Sequence, residues 1–427
     1  MASRKIYTGS IGTRSNPRIF LSAGEASGDQ YGAQIIAELC GRDPQAEFFG
    51  LGGREMAEAG LDRVVRAEDV AHMGITEVVR HMPRVYGEYR RLVASIKSRR
   101  PDVAVLIDFP DVNFRLAREL KKLDIPVVYF VSPQLWAWKR KRLRWVQERV
   151  SRMMVIFPFE ERFYRARRVD AAFVGHPLAE LPLPAASREG YAAEHDLNLS
   201  ARWIALLPGS RWKEVEANLP TMVQAAVQLG VGYEFLIPVA STLDNSSVSD
   251  LLLQIAEKAG WQKGSGIHLV PDAREALQHA LAAVVASGTA TVQAAVIGNP
   301  FVVVYRVSPL TFSVAKRLVR YPPEIPAQED AYGNLPIAMV NLVAGRRVVP
   351  ELIQQQFTAA NVADALPPLL ADTPERARMM ADLAEVRRML LPPGGAGAGS
   401  IRRVCDAVEA LLAQQISRRG RIPTASV

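Results

Sequence analysis

Val103-Ala104-Val105-Leu106-Ile107-Asp108-Phe109-Pro110-Asp111-Val112-Asn113 decides the architecture. A short β-rich run, Val103 to Ile107, delivers two carboxylates where a helix begins. Open α/β sheets bind their ligands at this carboxyl edge. Asp108, partly screened by Phe109 and Pro110, suits either a structural acid or a base with a raised pKa that takes a proton from a hydroxyl. Asp111 has the offset of a helix N-cap.

Outward from that segment the same alternation repeats. Ile19 to Ala23, Phe48 to Leu51, Val127 to Val131, Met154 to Phe157 and Ala172 to Val174 read as further strands. Gln30 to Leu39, Val78 to Ser98 and Phe114 to Leu123 carry helical periodicity. Repeated βα units imply a mainly parallel sheet. The proline-dense stretch Pro177 to Ser187 reads as a linker. Beyond it the alternation restarts, with strands at Ile204 to Leu207, Phe235 to Val239, His268 to Val270, Ala283 to Ala286 and Phe301 to Tyr305. After Pro350 the pattern is helical only. The expected organisation is a loose extension over 1–17, a doubly wound α/β domain over 18–180, a second over 188–373, helices over 374–418 and a flexible tail over 419–427.

Composition bounds the function. The chain has 427 residues, 49% hydrophobic and 22% charged, as in an ordinary globular protein. Two cysteines, Cys40 and Cys405, build neither a disulfide framework nor a Cys-rich zinc site, which fits a reducing compartment. Six histidines show no metal-binding spacing and no Asp-x-Asp pair occurs, so no metal and no cofactor are expected. A net charge of +8 favours anionic partners. No export signal and no apolar stretch of membrane-spanning length is visible, so the chain reads as soluble or peripheral.

Four further turns carry candidate chemistry. Ala23-Gly24-Glu25-Ala26-Ser27-Gly28-Asp29 brings glycines to a helix start but lacks the dinucleotide spacing. It fits a ligand-approaching loop or a tight turn capped by Ser27 or Asp29. Leu207-Pro208-Gly209-Ser210-Arg211 offers turn N–H groups, a hydroxyl and a guanidinium fork to a diphosphate, or serves as a plain turn. Ser287-Gly288-Thr289 is a second phosphate cradle or an N-capped helix start, and two such turns in one domain are where a nucleotide sits. Trp136-Ala137-Trp138-Lys139-Arg140-Lys141-Arg142 mixes indoles with four cations. That suits an anionic membrane interface, stacking on nucleic-acid bases, or a solvated face with the indoles turned inward. Ser308 to Tyr321 is short, amphipathic and basic, which suits contact with a membrane or simple packing, and packing is favoured.

These segments, in this order, resemble the lipid-A-disaccharide synthase family. The resemblance rests on Ser22 to Asp29, Met73-Gly74-Ile75-Thr76-Glu77-Val78, Ile107 to Asn113, Val131 to Trp138, Phe173 to Pro177, Leu206 to Arg211, Ala286 to Ala290, and Asn341-Leu342-Val343-Ala344-Gly345. It implies a GT-B fold, two Rossmann-like domains facing a cleft with the C-terminal helices packing back. It also implies transfer from UDP-2,3-diacylglucosamine to 2,3-diacylglucosamine 1-phosphate with inversion. By the same resemblance Asp108 is the general base and Arg211 steadies the departing UDP. Glu25, Ser27, Gly28, Ser210, Ser287, Gly288, Thr289, Gln293 and Asn341 would contact substrate. Trp136, Trp138, Lys139, Arg140, Lys141 and Arg142 would form a surface for acceptor and membrane.

Two positions depart from the family pattern. Gln293 stands where glutamate is usual, and Ala338-Met339-Val340-Asn341-Leu342 replaces a run with proline before the asparagine. The family further implies a homodimer, anionic acyl-sugar lipids as partners rather than nucleic acid, and a peripheral place at the cytoplasmic face of the inner membrane. The alternatives are another GT-B UDP-sugar enzyme, such as a 2-epimerase or a transferase to a soluble acceptor, and a non-catalytic binding homologue.

Overall fold

A computed structural model describes residues 16–71, 75–240, 243–258, 266–395 and 399–420. The extension therefore lies almost wholly outside the described residues, as do Met73-Gly74 and the last seven residues of the tail.

Two parallel sheets organise the chain. The first runs β3-β2-β1-β4-β5-β6-β7 and the second β10-β9-β8-β11-β12-β13. The strands of the first are β1 (Arg18–Ala23), β2 (Glu47–Gly52), β3 (Asp62–Arg66), β4 (Val103–Ile107), β5 (Val127–Phe130), β6 (Arg152–Val155) and β7 (Ala171–Phe173). Those of the second are β8 (Arg202–Leu207), β9 (Tyr233–Pro238), β10 (Ile267–Val270), β11 (Ala282–Ala286), β12 (Phe301–Tyr305) and β13 (Glu351–Ile353). Every residue of β4, β5 and β11 is buried, as strands covered by helices on both faces must be.

Strand order reverses between β1 and β4 in one sheet and between β8 and β11 in the other. Each reversal opens a crevice beyond the carboxyl ends of its strands. Of the five turns singled out by their sequence, four leave β1, β4, β8 and β11 and so lie at the two crevices, while the Trp136 turn leaves β5.

Two strands depart from the sequence reading. β3 sits at the sheet edge with only Val65 fully buried, and such a strand carries no continuous apolar run. The region after Pro350 is not purely helical: β13 pairs with β12 from Val303↔Glu351 to Tyr305↔Ile353. Its three residues are too short for a periodic signal, and they form a strand because Phe301–Tyr305 offers an edge.

The C-terminal helix Ser400–Gly420 returns to the first sheet and packs on the helix Ala26–Arg42. Arg42 pairs there with Asp406 at 2.7 Å and Glu409 at 2.9 Å. The two halves also meet near the cleft mouth. The Trp136 and Tyr321 rings lie 5.6 Å apart, and Arg167 pairs with Glu324 at 2.9 Å.

Candidate active site

Asp108 and Phe109 leave β4 with φ of 44° and 46°, both left-handed. Two consecutive non-glycine residues in that region cost about 1–2 kcal/mol each and persist only where surrounding contacts fix them. Those contacts are explicit. Asp108 N donates to Phe130 O at 2.9 Å, and Tyr129 Oη donates to Asp108 O at 2.6 Å. Asn113, wholly buried, donates from Nδ2 to Asp108 O at 2.8 Å and to Ile107 O at 3.1 Å, and its Oδ1 accepts from Ser22 Oγ at 2.6 Å. One amide thus ties β1 to the end of β4. Asn113 and Tyr129 received no role from sequence, although Asn113 stands within a quoted motif.

Gly24 completes this corner. A Cβ there would lie 2.5 Å from the Phe109 ring, so only glycine lets the β1 turn approach the β4 turn so closely. The Asp108 carboxyl is pushed up from 3.8 to about 6. Burial is the main cause and the Glu25 carboxylate the second, opposed by the Phe109 N–H and by Arg211.

Arg211 comes from the other half of the molecule. Its guanidinium lies 3.8 Å from Glu25 Oε1 and 3.5 Å from Glu214 Oε1, and it is largely exposed. Glu214 Oε2 also accepts from Ser210 N at 3.1 Å. Base candidate, cation and turn amides are therefore brought to one cleft by β4 and β8. Ser287, Gly288 and Thr289 follow β11 beside them, the last two exposed, with Gln293 half-buried one turn on. Neither Ser287 nor Thr289 caps that helix; its N-cap is Gly288. Ser27 is exposed at the β1 turn.

Several expectations fail on packing. Trp136 is buried, not on a surface: its Nε1 donates to Glu160 Oε1 at 3.1 Å, and Glu160 is pushed up to about 8 by its burial. Arg142 pairs with Asp111 at 2.6 Å, so Asp111 does not cap its helix, whose N-cap is Phe109. Arg140 stays exposed, with one guanidinium nitrogen donating to Arg320 O. Trp138, Lys139 and Lys141 do remain exposed, with Lys139 Nζ 4.2 Å from the Trp138 ring.

Gly28 is buried within its helix, where a Cβ would stand 3.3 Å from Ala23 Cβ. It serves close packing of the helix on β1 rather than substrate contact. Asp29 does not cap its own helix; it accepts from Gly53 N, Glu55 N and Met56 N and so caps the helix Arg54–Glu58. Asn341 does not line the cleft. It is wholly buried, its Nδ2 donates to Val349 O and Glu351 Oε1, and its Oδ1 accepts from Val348 N and Val349 N. Among the described residues no three His, Cys, Asp or Glu side chains come together as a metal site would need.

Comparison with known proteins bears on the fold and the family. Solved structures share the two-sheet arrangement at low identity. The calicheamicin glycosyltransferase CalG4 is 17% identical with a TM-score of 0.54, over 96% of this chain and all of that one. A UDP-GlcNAc 2-epimerase from Neisseria meningitidis bound to UDP-GlcNAc is 10% identical with a TM-score of 0.56, over 93% of this chain and all of that one. Such likeness establishes the GT-B fold alone. Closer relatives go further. The lipid-A-disaccharide synthase of Acidobacterium capsulatum is 54% identical over 91% of this chain and 96% of its own length, and that of Koribacter versatilis 49% identical over 87% and 93%. Residues 19–391 match the family described as lipid-A-disaccharide synthetase. With that match across both sheets and the cleft between them, the chain belongs to the lipid-A-disaccharide synthetase family and is a glycosyltransferase of lipid A biosynthesis.

Proposed function

We propose that the chain joins UDP-2,3-diacylglucosamine to 2,3-diacylglucosamine 1-phosphate, giving the disaccharide 1-phosphate and UDP with inversion. The observation that carries the assignment of roles is the poised acid at the cleft: Asp108, pushed up to about 6, with Arg211 facing it from the other half. In one displacement the acceptor 6-hydroxyl oxygen bonds to the anomeric carbon. The bond from that carbon to the diphosphate breaks, its electron pair leaves on the UDP oxygen, and the hydroxyl proton passes to Asp108. A base with a pKa near the working pH both holds and accepts protons efficiently.

Arg211 and the amides of the Pro208 to Arg211 turn meet the negative charge that grows on the departing diphosphate. Glu25 and Glu214 stand near that guanidinium, and phosphate oxygens would displace them. Gln293, one turn into the helix Thr289–Ile297, serves the uridine ribose through its single carbonyl oxygen and amide. The test is UDP release from UDP-2,3-diacylglucosamine with and without the acceptor. Release that needs the acceptor and yields a disaccharide supports the reading. Release without an acceptor, or epimerised sugar alone, refutes it.

A further inference from the structure

The helix Pro309–Leu318, which follows β12, has no buried residue. Its sequence favours packing, yet Leu310, Val314 and Leu318 are 76%, 47% and 63% exposed. Spaced four apart, they form one stripe on one side of the helix. The opposite side carries Phe312, Ala315 and Val319, which are partly buried. The helix is thus seated by one face and presents leucines and valine on the other.

Cations frame the stripe. Arg317 and Arg320 are exposed and pair with no carboxylate among the described residues, and the helix itself holds no acid. Arg320 N donates to Ala137 O at 3.4 Å, which sets the end of the helix beside Trp138, itself 47% exposed, and Lys139. Both segments leave strands next to the switch points, β5 beside β4 and β12 beside β11, so the patch borders the cleft mouth.

We propose that the helix Pro309–Leu318, with Trp138 and Lys139, is the element that seats this enzyme on an anionic lipid surface. An apolar stripe edged by unpaired arginines and an indole complements acyl chains below phosphate headgroups. Trp138 beside the stripe favours lipid over a soluble partner, because an indole sits at headgroup depth while the leucines reach the acyl chains. The inference rests on the proposed lipid substrates, which would reach the cleft from that surface.

The test uses the full-length protein and vesicles of phosphatidylcholine with or without phosphatidylglycerol. Wild type is expected to sediment with the anionic vesicles only. The double variant Leu310→Ser, Leu318→Ser should lose roughly a hundredfold in vesicle affinity, about tenfold per half-buried leucine. Arg317→Gln should lose roughly fivefold, on anionic vesicles alone. Both variants should keep wild-type melting temperature and wild-type turnover of detergent-dispersed substrates, with KM raised only for vesicle-borne acceptor. Unchanged vesicle binding in both variants overturns the docking surface. So does a change from dimer to monomer in the double variant with vesicle binding retained, which makes the stripe a contact between copies. Wild-type failure to turn over dispersed substrates refutes the proposed function instead, whatever the vesicles show.

Discussion

Replacing Glu25 by glutamine tests whether Asp108 is the base. Because the Asp108 carboxyl sits at about 6, kcat/KM of the wild-type enzyme should show an acid limb there. At pH 5 roughly one molecule in ten then carries the ionised base, against nine in ten at pH 7, so the rate constant falls about tenfold between them. Burial is the larger cause of the raised pKa and Glu25 the second. Glu25→Gln removes the second cause and frees Arg211 from a neighbouring carboxylate, and both changes favour ionised Asp108. A limb lowered by about one unit, ~1.4 kcal/mol, is the expected size for one partly solvated charge. That shift raises kcat/KM at pH 5 about fivefold relative to the variant's own plateau, with nothing gained at pH 8. The assay is UDP release over pH 4.5 to 9 at low substrate. Any contact Glu25 makes to substrate changes the height of the plateau, whereas the limb position reports the proton on Asp108. A wild-type limb near pH 4, or one unmoved or raised in the variant, refutes the reasoning.

The same carboxyl bears on stability. Folding raises its pKa, so its contribution is present below about pH 4 and lost as pH rises through about 6. Asp108→Asn should therefore be inactive yet more stable at pH 7, by up to about 3 kcal/mol, and no more stable at pH 4, as thermal melts at the two pH values would show. Gly24→Ala places a methyl 2.5 Å from the Phe109 ring and should destabilise by about 1–3 kcal/mol while lowering kcat, since Phe109 follows the base directly. An alanine variant with wild-type kcat would show that the corner is not held for Asp108. Trp136→Phe removes the indole N–H from buried Glu160; a loss of about 1–3 kcal/mol in denaturant melts is expected, and a variant of wild-type stability would refute the role given to that bond.

The sequence by itself determined the two α/β halves, most of their strands, and the turns that hold Asp108 and Arg211. Buried strands in a parallel sheet are short continuous apolar runs, and the residues just after them stand at the sheet's carboxyl edge wherever the sheet lies. These are local facts, so they are legible locally. What it missed depended on distant neighbours. Trp136 stands in a run of cations and looks like a surface residue, yet Glu160, twenty-four positions on, takes its N–H in the interior. Asn341 looked like a ligand contact until β13 brought Glu351 and the Val348–Val349 amides to its side chain. Asp111 was fitted as a cap and instead meets Arg142. The helix Pro309–Leu318 shows the converse, an apolar stripe that periodicity assigns to the core and the fold leaves outside. Periodicity tells which side chains share a face. Only the tertiary structure decides what that face meets, because burial depends on the elements packed against it, and those come from elsewhere in the chain.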